Sequence, residues 1–285
     1  MNVNTHKIVL VSFADKRYKY SLERLREQTI VYPFSDRFFF TEANSLSPSF
    51  WRGLKPWLYR RGFGYWAWKF ALVKDVFDKL SYGDILFYSD AGITWDSSSQ
   101  SIERFNQYIS LLQEDDDILV FDYPLIEQEW TKGDVLEALG VYNNDSICSS
   151  KQIIGGFFCL KKTKRTISFV DRMLFWGDIK KELITDKRSA QPNKEGFQET
   201  RHDQSIFSVL VKTFPHVTLH YNLIQEVDES GNAIDCPIRI IRHKEKERSV
   251  STILLNKLVK PWRMVLNIYF RYFRDYEFKN TGYPW

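Results

Sequence analysis

Cysteine is scarce in this 285-residue chain: Cys148, Cys159 and Cys236 make an odd number with no CxxC spacing. That argues against a disulfide framework or a zinc module and reads as reduced thiols of a cytoplasmic protein. Long apolar runs are missing as well, since no stretch reaches the roughly 18 residues a membrane-spanning helix needs. Met1 leads almost at once into an apolar segment from Lys7 to Phe13, without the charged and apolar regions of a secretory signal. Charge of one sign is also lacking. Forty Lys and Arg face 36 Asp and Glu, a formal +4 that is too mild to imply a nucleic-acid partner. The histidines, His6, His202, His216, His220 and His243, have neither zinc-protease nor deaminase spacing. No internal repeat or long low-complexity linker is present.

What the chain does have is apolar bulk, 44% of its residues, with 22 Phe, 15 Tyr and 9 Trp. That suffices for a sizeable core. Short apolar runs alternate with segments of helical period, the pattern of an α/β chain. Strands are expected over Ile8 to Phe13, Arg37 to Phe40, Asp84 to Tyr88, Asp117 to Phe121, Ile153 to Leu160 and Val217 to Tyr221. Helices are expected over Ser21 to Thr29, Trp68 to Leu80, Ser101 to Gln113, Thr166 to Trp176 and Asp203 to Lys212. In the third helix Ile102, Phe105, Ile109 and Leu112 share one face, and Ser97 to Ser99 offer N-caps. The polar stretch from Thr185 to Thr200 has no apolar period and reads as a mobile, lid-like loop.

Residues 1–245 are expected to form the main domain and residues 246–285 a helical appendage. Arg239, Arg242, His243, Lys244, Lys246 and Arg248 form a basic run. From Leu254 to Arg274, aromatics such as Trp262, Tyr269 and Phe270 mix with Lys257, Lys260, Arg263, Arg271 and Arg274. This composition suits a helix lying on an anionic membrane surface, and equally one packed on the domain.

The most informative block is RGFGYWAWKFALVKDVFDKLSYGDILFYSDAG, Arg61 to Gly92. Its strand stops at Ser89-Asp90-Ala91-Gly92, and an acid beyond the carboxyl end of such a strand points into the crevice where ligands bind. Asp90 there can hold a divalent cation that neutralises a diphosphate, or simply begin a tight turn with Gly92. Gly62 and Gly64 permit backbone conformations closed to other residues. Tyr65, Trp66 and Trp68 offer a stacking wall, and Lys69 a point charge for a phosphate, although Trp66 and Phe70 at helical spacing also suit a core. At least one of the two tryptophans is expected to be structural. Gly155-Gly156 inside an apolar strand marks a bulge or a close backbone approach. Asp203 opens its helix, where the dipole favours a carboxylate, and is also a candidate to bind or deprotonate a hydroxyl.

The GYWAWK block, the helix after it, the GD and the strand closing in YSDAG resemble the nucleotide-sugar-binding half of bacterial O-antigen and capsule glycosyltransferases of the GT-A fold. The resemblance spans roughly Lys7 to His243. It implies an α/β fold with a mixed, Rossmann-like sheet flanked by helices, and transfer of a hexosyl group from a nucleoside-diphosphate donor, UDP-linked, to a hydroxyl of a bacterial surface glycan or lipid-linked acceptor. It also implies Mn2+ or Mg2+ held by Asp90 and His243, although Gly92 stands where the second acid of a DxD motif would be. Donor contacts fall by position on Ser12, Phe13 and Tyr18, on Tyr65, Trp66 and Lys69, on Asp90 and Gly92, on Gly155 and Gly156 as the floor under the sugar, and on His243 and Lys244 as a clamp on the diphosphate. Asp203 with Asp90 would carry catalysis. Trp130, Lys132 and His202 would face the acceptor, while Thr131 with Asp134 suits a helix start. Peripheral contact with the inner face of the plasma membrane would fit a lipid-linked acceptor. A non-catalytic nucleotide-sugar- or glycan-binding protein is the competing reading, favoured by Gly92 in place of an acid.

Overall fold

The computed structural model describes residues 6–56, 61–114, 116–215, 218–220 and 237–239. The chain divides into a unit of residues 1–241 and a second of 242–285. Arg242, His243, Lys244, Lys246, Arg248 and the whole basic aromatic segment after them lie outside the described residues. No described helix is long and apolar enough to cross a membrane.

The elements needed here are β1 (Ile8–Phe13), α1 (Lys19–Gln28), β2 (Asp36–Phe40), α2 (Pro48–Leu54), α3 (Trp68–Lys79), β3 (Ile85–Ser89), α4 (Ser99–Glu114), β4 (Ile118–Ile126), α5 (Gly133–Ala138), β5 (Lys151–Ile153), β6 (Phe157–Lys161), α6 (Lys164–Leu174), α7 (Asp203–Thr213) and β7 (Thr218–His220). They build the expected α/β architecture. The sheet runs β2-β1-β3-β6-β4-β5, with β7 also paired to β4. Strands β2, β1 and β3 are parallel. β6 runs antiparallel to both β3 and β4, so the sheet is mixed.

Period-two alternation sends successive side chains to opposite faces of the sheet. Val9, Val11, Leu86 and Tyr88 enter one core layer with Phe70, Val73 and Phe77 of α3, Phe169 of α6 and Phe207 of α7. Leu10, Ile85 and Phe87 enter the other with Leu22 and Leu25 of α1 and Phe105 and Leu112 of α4. Helix ends are capped locally. The Ser98 hydroxyl accepts from Ser101 N at 3.2 Å before α4, and Thr163 forms a capping box with Thr166 before α6. At the C-terminal end of α3, Lys162 Nζ donates to the carbonyls of Phe77, Asp78 and Leu80 at 2.7 to 2.9 Å.

Three expectations are corrected. The single strand from Ile153 to Leu160 is two, β5 and β6, broken at residues 154–156 where Gly155-Gly156 turn the backbone aside. The stretch from Thr185 to Thr200 is docked rather than free. The Asp134 carboxylate accepts from Ala190 N and Gln191 N, Asn193 Oδ1 accepts from Gly133 N at 2.8 Å, and Glu129 O accepts from Gln198 N at 2.8 Å. Nor do Thr131 and Asp134 cap α5. Its N-cap is Lys132 without a side-chain cap, because Thr131 donates to Glu127 Oε1 at 2.5 Å and Asp134 is engaged by the loop.

Phe87 is fully buried, 4.7 Å from the Phe105 ring and 5.7 Å from Phe34. Phe87→Ala is expected to cost about 3–5 kcal/mol of folding stability, read as a lowered denaturant midpoint at unchanged slope.

Candidate functional site

Strands β1 and β3 end at the same edge of the sheet, and β3 stops where Asp90, Ala91 and Gly92 turn, with Ile93 N donating to Asp90 O at 3.0 Å. The break between β5 and β6 comes up against this turn, and Asp90 N donates to Gly156 O at 2.8 Å. A Cβ on Gly156 would lie 2.9 Å from Asp90 Oδ2, and one on Gly155 would lie 3.0 Å from Gln204 Cα. The paired glycines therefore let three segments meet: the turn after β3, the β5–β6 break and the start of α7.

At their meeting point stands Lys69 from the first turn of α3, only 2% exposed. Its ammonium lies 2.5 Å from Asp203 Oδ2, 2.9 Å from Gly155 O and 3.3 Å from Asp90 Oδ1. An ammonium has three N–H donors, and three acceptors surround this one. Burial works against the charge of Lys69, but Asp203 and then Asp90 outweigh it and keep the side chain a cation. Burial pushes the Asp203 carboxyl up to about 6 against the pull of Lys69, with Asp90 adding to the rise. Tyr88, fully buried, donates its hydroxyl to Asp90 Oδ1 at 2.7 Å; burial and the neighbouring carboxylate hold the phenol in its neutral form. Asp203 is nearly closed from water, whereas Asp90 is 37% exposed and faces outward.

Behind the cluster the amides are locked in sequence. Gln204 Oε1 accepts from Gly155 N at 3.2 Å, Gln204 Nε2 donates to Gln152 Oε1 at 2.8 Å, and Gln152 Nε2 donates to Glu127 Oε1 at 3.1 Å. Buried Glu127 in turn accepts from Lys212 Nζ at 2.5 Å and from Ser208. Each of these side chains, Gln204, Gln152 and Glu127, is thus partnered, as a dry network requires.

Lys69 is placed by an unusual backbone. Gly62, Phe63, Gly64, Tyr65 and Trp66 all have positive φ, from +54° to +98°, forming a left-handed turn ahead of α3. Non-glycine residues pay for this conformation. Its offset comes from contacts: Tyr65 N donates to Arg61 O at 2.7 Å, Trp68 Nε1 to Gly62 O at 3.1 Å, and the rings of Tyr65 and Trp66 pack 5.1 and 5.4 Å from His202. His202, itself at φ +56°, joins its Nδ1 to Ile184 O at 2.6 Å, so that nitrogen carries the proton. Burial lowers its pKa, and the ring is neutral.

Several residues expected at a ligand surface are instead structural. Lys69 has spent its donors inside the protein and has none for a phosphate. Phe13 belongs to an aromatic core with Trp68 at 4.2 Å and Trp51 at 5.6 Å, so Trp68 is the structural tryptophan. Tyr65 is buried, while Trp66 is half-buried with a face against His202. Ser12 is fully buried at the end of β1, its hydroxyl without a partner among the described residues. His202 is buried, as is Lys132, which donates to Glu182 O at 2.9 Å and Thr185 O at 3.2 Å; burial lowers its pKa to about 8. The Trp130 ring lies under Arg201, 4.2 Å away. Tyr18 is exposed at the start of α1, and Gly92 is exposed with open space where its side chain would be. Asp90, Asp203, Gly155 and Gly156 are brought together around the Lys69 ammonium.

The sequence reading missed Tyr88, although a strand puts residues i and i+2 on one face and Tyr88 precedes Asp90 by two. It also gave no role to Gln152 or Glu127, whose links to each other and to Lys212 span 25 and 85 positions and leave no local pattern. Arg24 of α1 reaches Ala91 O at 3.3 Å, putting a further cation beside the turn. A hollow lined by His6, Tyr82, Lys161 and Lys164 lies at the other end of β1 and β3, away from this cluster.

The residues described offer a divalent ion a poor donor set. Oδ1 of Asp90 is taken by Tyr88 and Lys69, Gly92 brings no oxygen side chain, and Asp203 is tied to Lys69. Among the described residues no group of three or more His, Cys, Asp and Glu is arranged to hold a metal.

The sequence matches no protein-family model and no curated protein. Among solved structures it is similar to the galactosyltransferase LgtC in complex with donor and acceptor sugar analogues, at 13% identity and a TM-score of 0.44 over 86% of this chain and 91% of that one. It is also similar to mouse xyloside xylosyltransferase 1, at 10% identity and a TM-score of 0.41 over 76% and 84% of the two chains. A third similarity is to a glycosyltransferase involved in the glycosylation of the major capsid of PBCV-1, at 9% identity and a TM-score of 0.39 over 76% and 84%. Likeness at this level assigns no activity.

Gly64 has φ +98°, and a Cβ there would come within 2.6 Å of Leu54 Cγ. Gly64→Ala is expected to cost about 1–3 kcal/mol by overpacking a strained turn, measured as a loss of thermal and denaturant stability.

Proposed function

We propose that the protein is a GT-A-type glycosyltransferase that moves a hexosyl group from a nucleoside-diphosphate donor, UDP-linked, to a hydroxyl of a bacterial surface glycan or lipid-linked acceptor. The observation that carries the reading is the convergence of Asp90 and Asp203 at the carboxyl ends of parallel strands, where ligands of open α/β sheets bind. The sequence resemblance of the GYWAWK to YSDAG block supports the substrate class.

Such a reaction needs charge stabilised on a departing diphosphate while one acceptor hydroxyl is held at the anomeric carbon. Asp203 suits the second task. It is nearly dry and rigidly held, with a carboxyl pKa near the working range, so it can bind a sugar hydroxyl or accept its proton. Asp90 presents its carboxylate to solvent beside the same point. A cation beside the turn for the diphosphate is Arg24, which reaches Ala91 O. The basic aromatic segment after Leu254 would bring the enzyme to an anionic membrane that carries a lipid-linked acceptor. A non-catalytic nucleotide-sugar-binding protein is the second reading, favoured by Lys69, whose donors are all engaged, and by Gly92.

A panel of nucleotide sugars tested by thermal shift decides the ligand class. A bound donor at 100 times its dissociation constant is expected to stabilise the protein by about 2.7 kcal/mol, and failure of every nucleotide sugar to shift the transition overturns the proposal. Turnover should then decline as pH falls through about 6, where Asp203 takes up a proton, and Asp203→Asn should lose turnover while keeping the donor-induced shift. Binding without turnover in the presence of acceptor extracts would select the non-catalytic reading.

A further inference from the structure

Divalent cations that serve diphosphates sit among hard oxygen ligands, usually with one or two carboxylates and several waters. Two carboxylates do converge at this site, but the space between them is already filled. Lys69 reaches both, at 2.5 Å to Asp203 Oδ2 and 3.3 Å to Asp90 Oδ1, and its third donor goes to Gly155 O at 2.9 Å. The ammonium is shut from water and tethered to the first turn of α3, so it does not exchange with ions in solution. Among the described residues, a metal arriving at the outer face of Asp90 would meet one carboxylate whose Oδ1 is occupied by Tyr88, a glycine at position 92, and the repulsion of a fixed positive charge nearby.

We propose that the Lys69 ammonium is the resident cation of this site, seated between Asp90 and Asp203 in place of a divalent ion, and that nucleotide-sugar binding proceeds without added metal. Lys69 is accordingly a positioning residue. It neutralises one of the two acids, holds Asp90 and Asp203 within reach of a single point, and fixes the Gly155 carbonyl. The inference deepens the nucleotide-sugar reading and rests on it for the identity of the ligand. The closed cation seat itself follows from the side chains alone.

Mn2+ titrations followed by the loss of the free-ion EPR signal test it on the full chain. Wild-type protein is expected to give no saturable binding that Asp90→Asn abolishes. Lys69→Ala leaves two adjacent carboxylates without a counter-ion and is expected to bind Mn2+ at least roughly tenfold more tightly than wild type. In the Lys69→Ala background, Asp90→Asn should remove that gain. Saturable wild-type binding lost in Asp90→Asn overturns the proposal, and so does a folded Lys69→Ala variant that gains no Mn2+ affinity. If Lys69→Ala does not fold, the wild-type and Asp90→Asn titrations decide by themselves. In a parallel arm, the thermal shift of wild type with a UDP-sugar should be equal in EDTA and in Mn2+, and a shift seen only with Mn2+ overturns the proposal. Should no nucleotide sugar bind under either condition, the functional reading fails while the Mn2+ titrations still decide whether the seat is closed.

Discussion

One buried ammonium organises the candidate site. Lys69 comes from α3, yet its three partners belong to the turn after β3, the β5–β6 break and the first residue of α7. A charge withdrawn from water is tolerated only when its partners are close and well directed, so each of these segments is held in position by the others. Losing Lys69 would leave two adjacent carboxylates without a counter-ion, so the ammonium is the member on which the arrangement depends.

The surroundings are built to keep that ammonium where it is. A run of five positive-φ residues delivers the chain into α3, and the strain is offset by packing of Tyr65 and Trp66 on His202. His202 immediately precedes Asp203, so the same contact steadies both sides of the ion pair. On the outside, Arg61 joins Asp186 at 2.9 Å and Glu199 at 3.2 Å, tying the base of the left-handed turn to the two ends of the docked loop. On the inside, the Gln204, Gln152 and Glu127 relay sets the depth at which the β5–β6 break sits. Of the two acids, Asp90 is the one left partly open to solvent.

The fold is largely legible in the sequence. Strand β1 falls on the residues that its apolar run marks, α3 begins at Trp68 as its period requires, and the Gly155-Gly156 pair breaks a strand as paired glycines do. The site was legible in part. Asp90 and Asp203 stand out as acids at a strand end and a helix start, but Lys69, Phe13, Tyr65 and His202, whose motifs suit a ligand surface, are interior. A lysine or an aromatic ring in a motif looks the same whether it turns outward to a phosphate or inward to a carboxylate. The polar stretch from 185 to 200 looked free because its anchors, Gly133 and Asp134, lie more than fifty positions away.

The sequence by itself determined the alternation of strands and helices, the two acids and the glycines that permit close approach, because these depend on periodicity and on backbone freedom within a few residues. Tertiary structure alone decided which charges face each other. The pairing of Lys69 with Asp203 joins residues 134 positions apart, and the depth of burial that turns a surface lysine into an internal counter-ion is set by the packing of α3 and α7 against the sheet rather than by any local pattern.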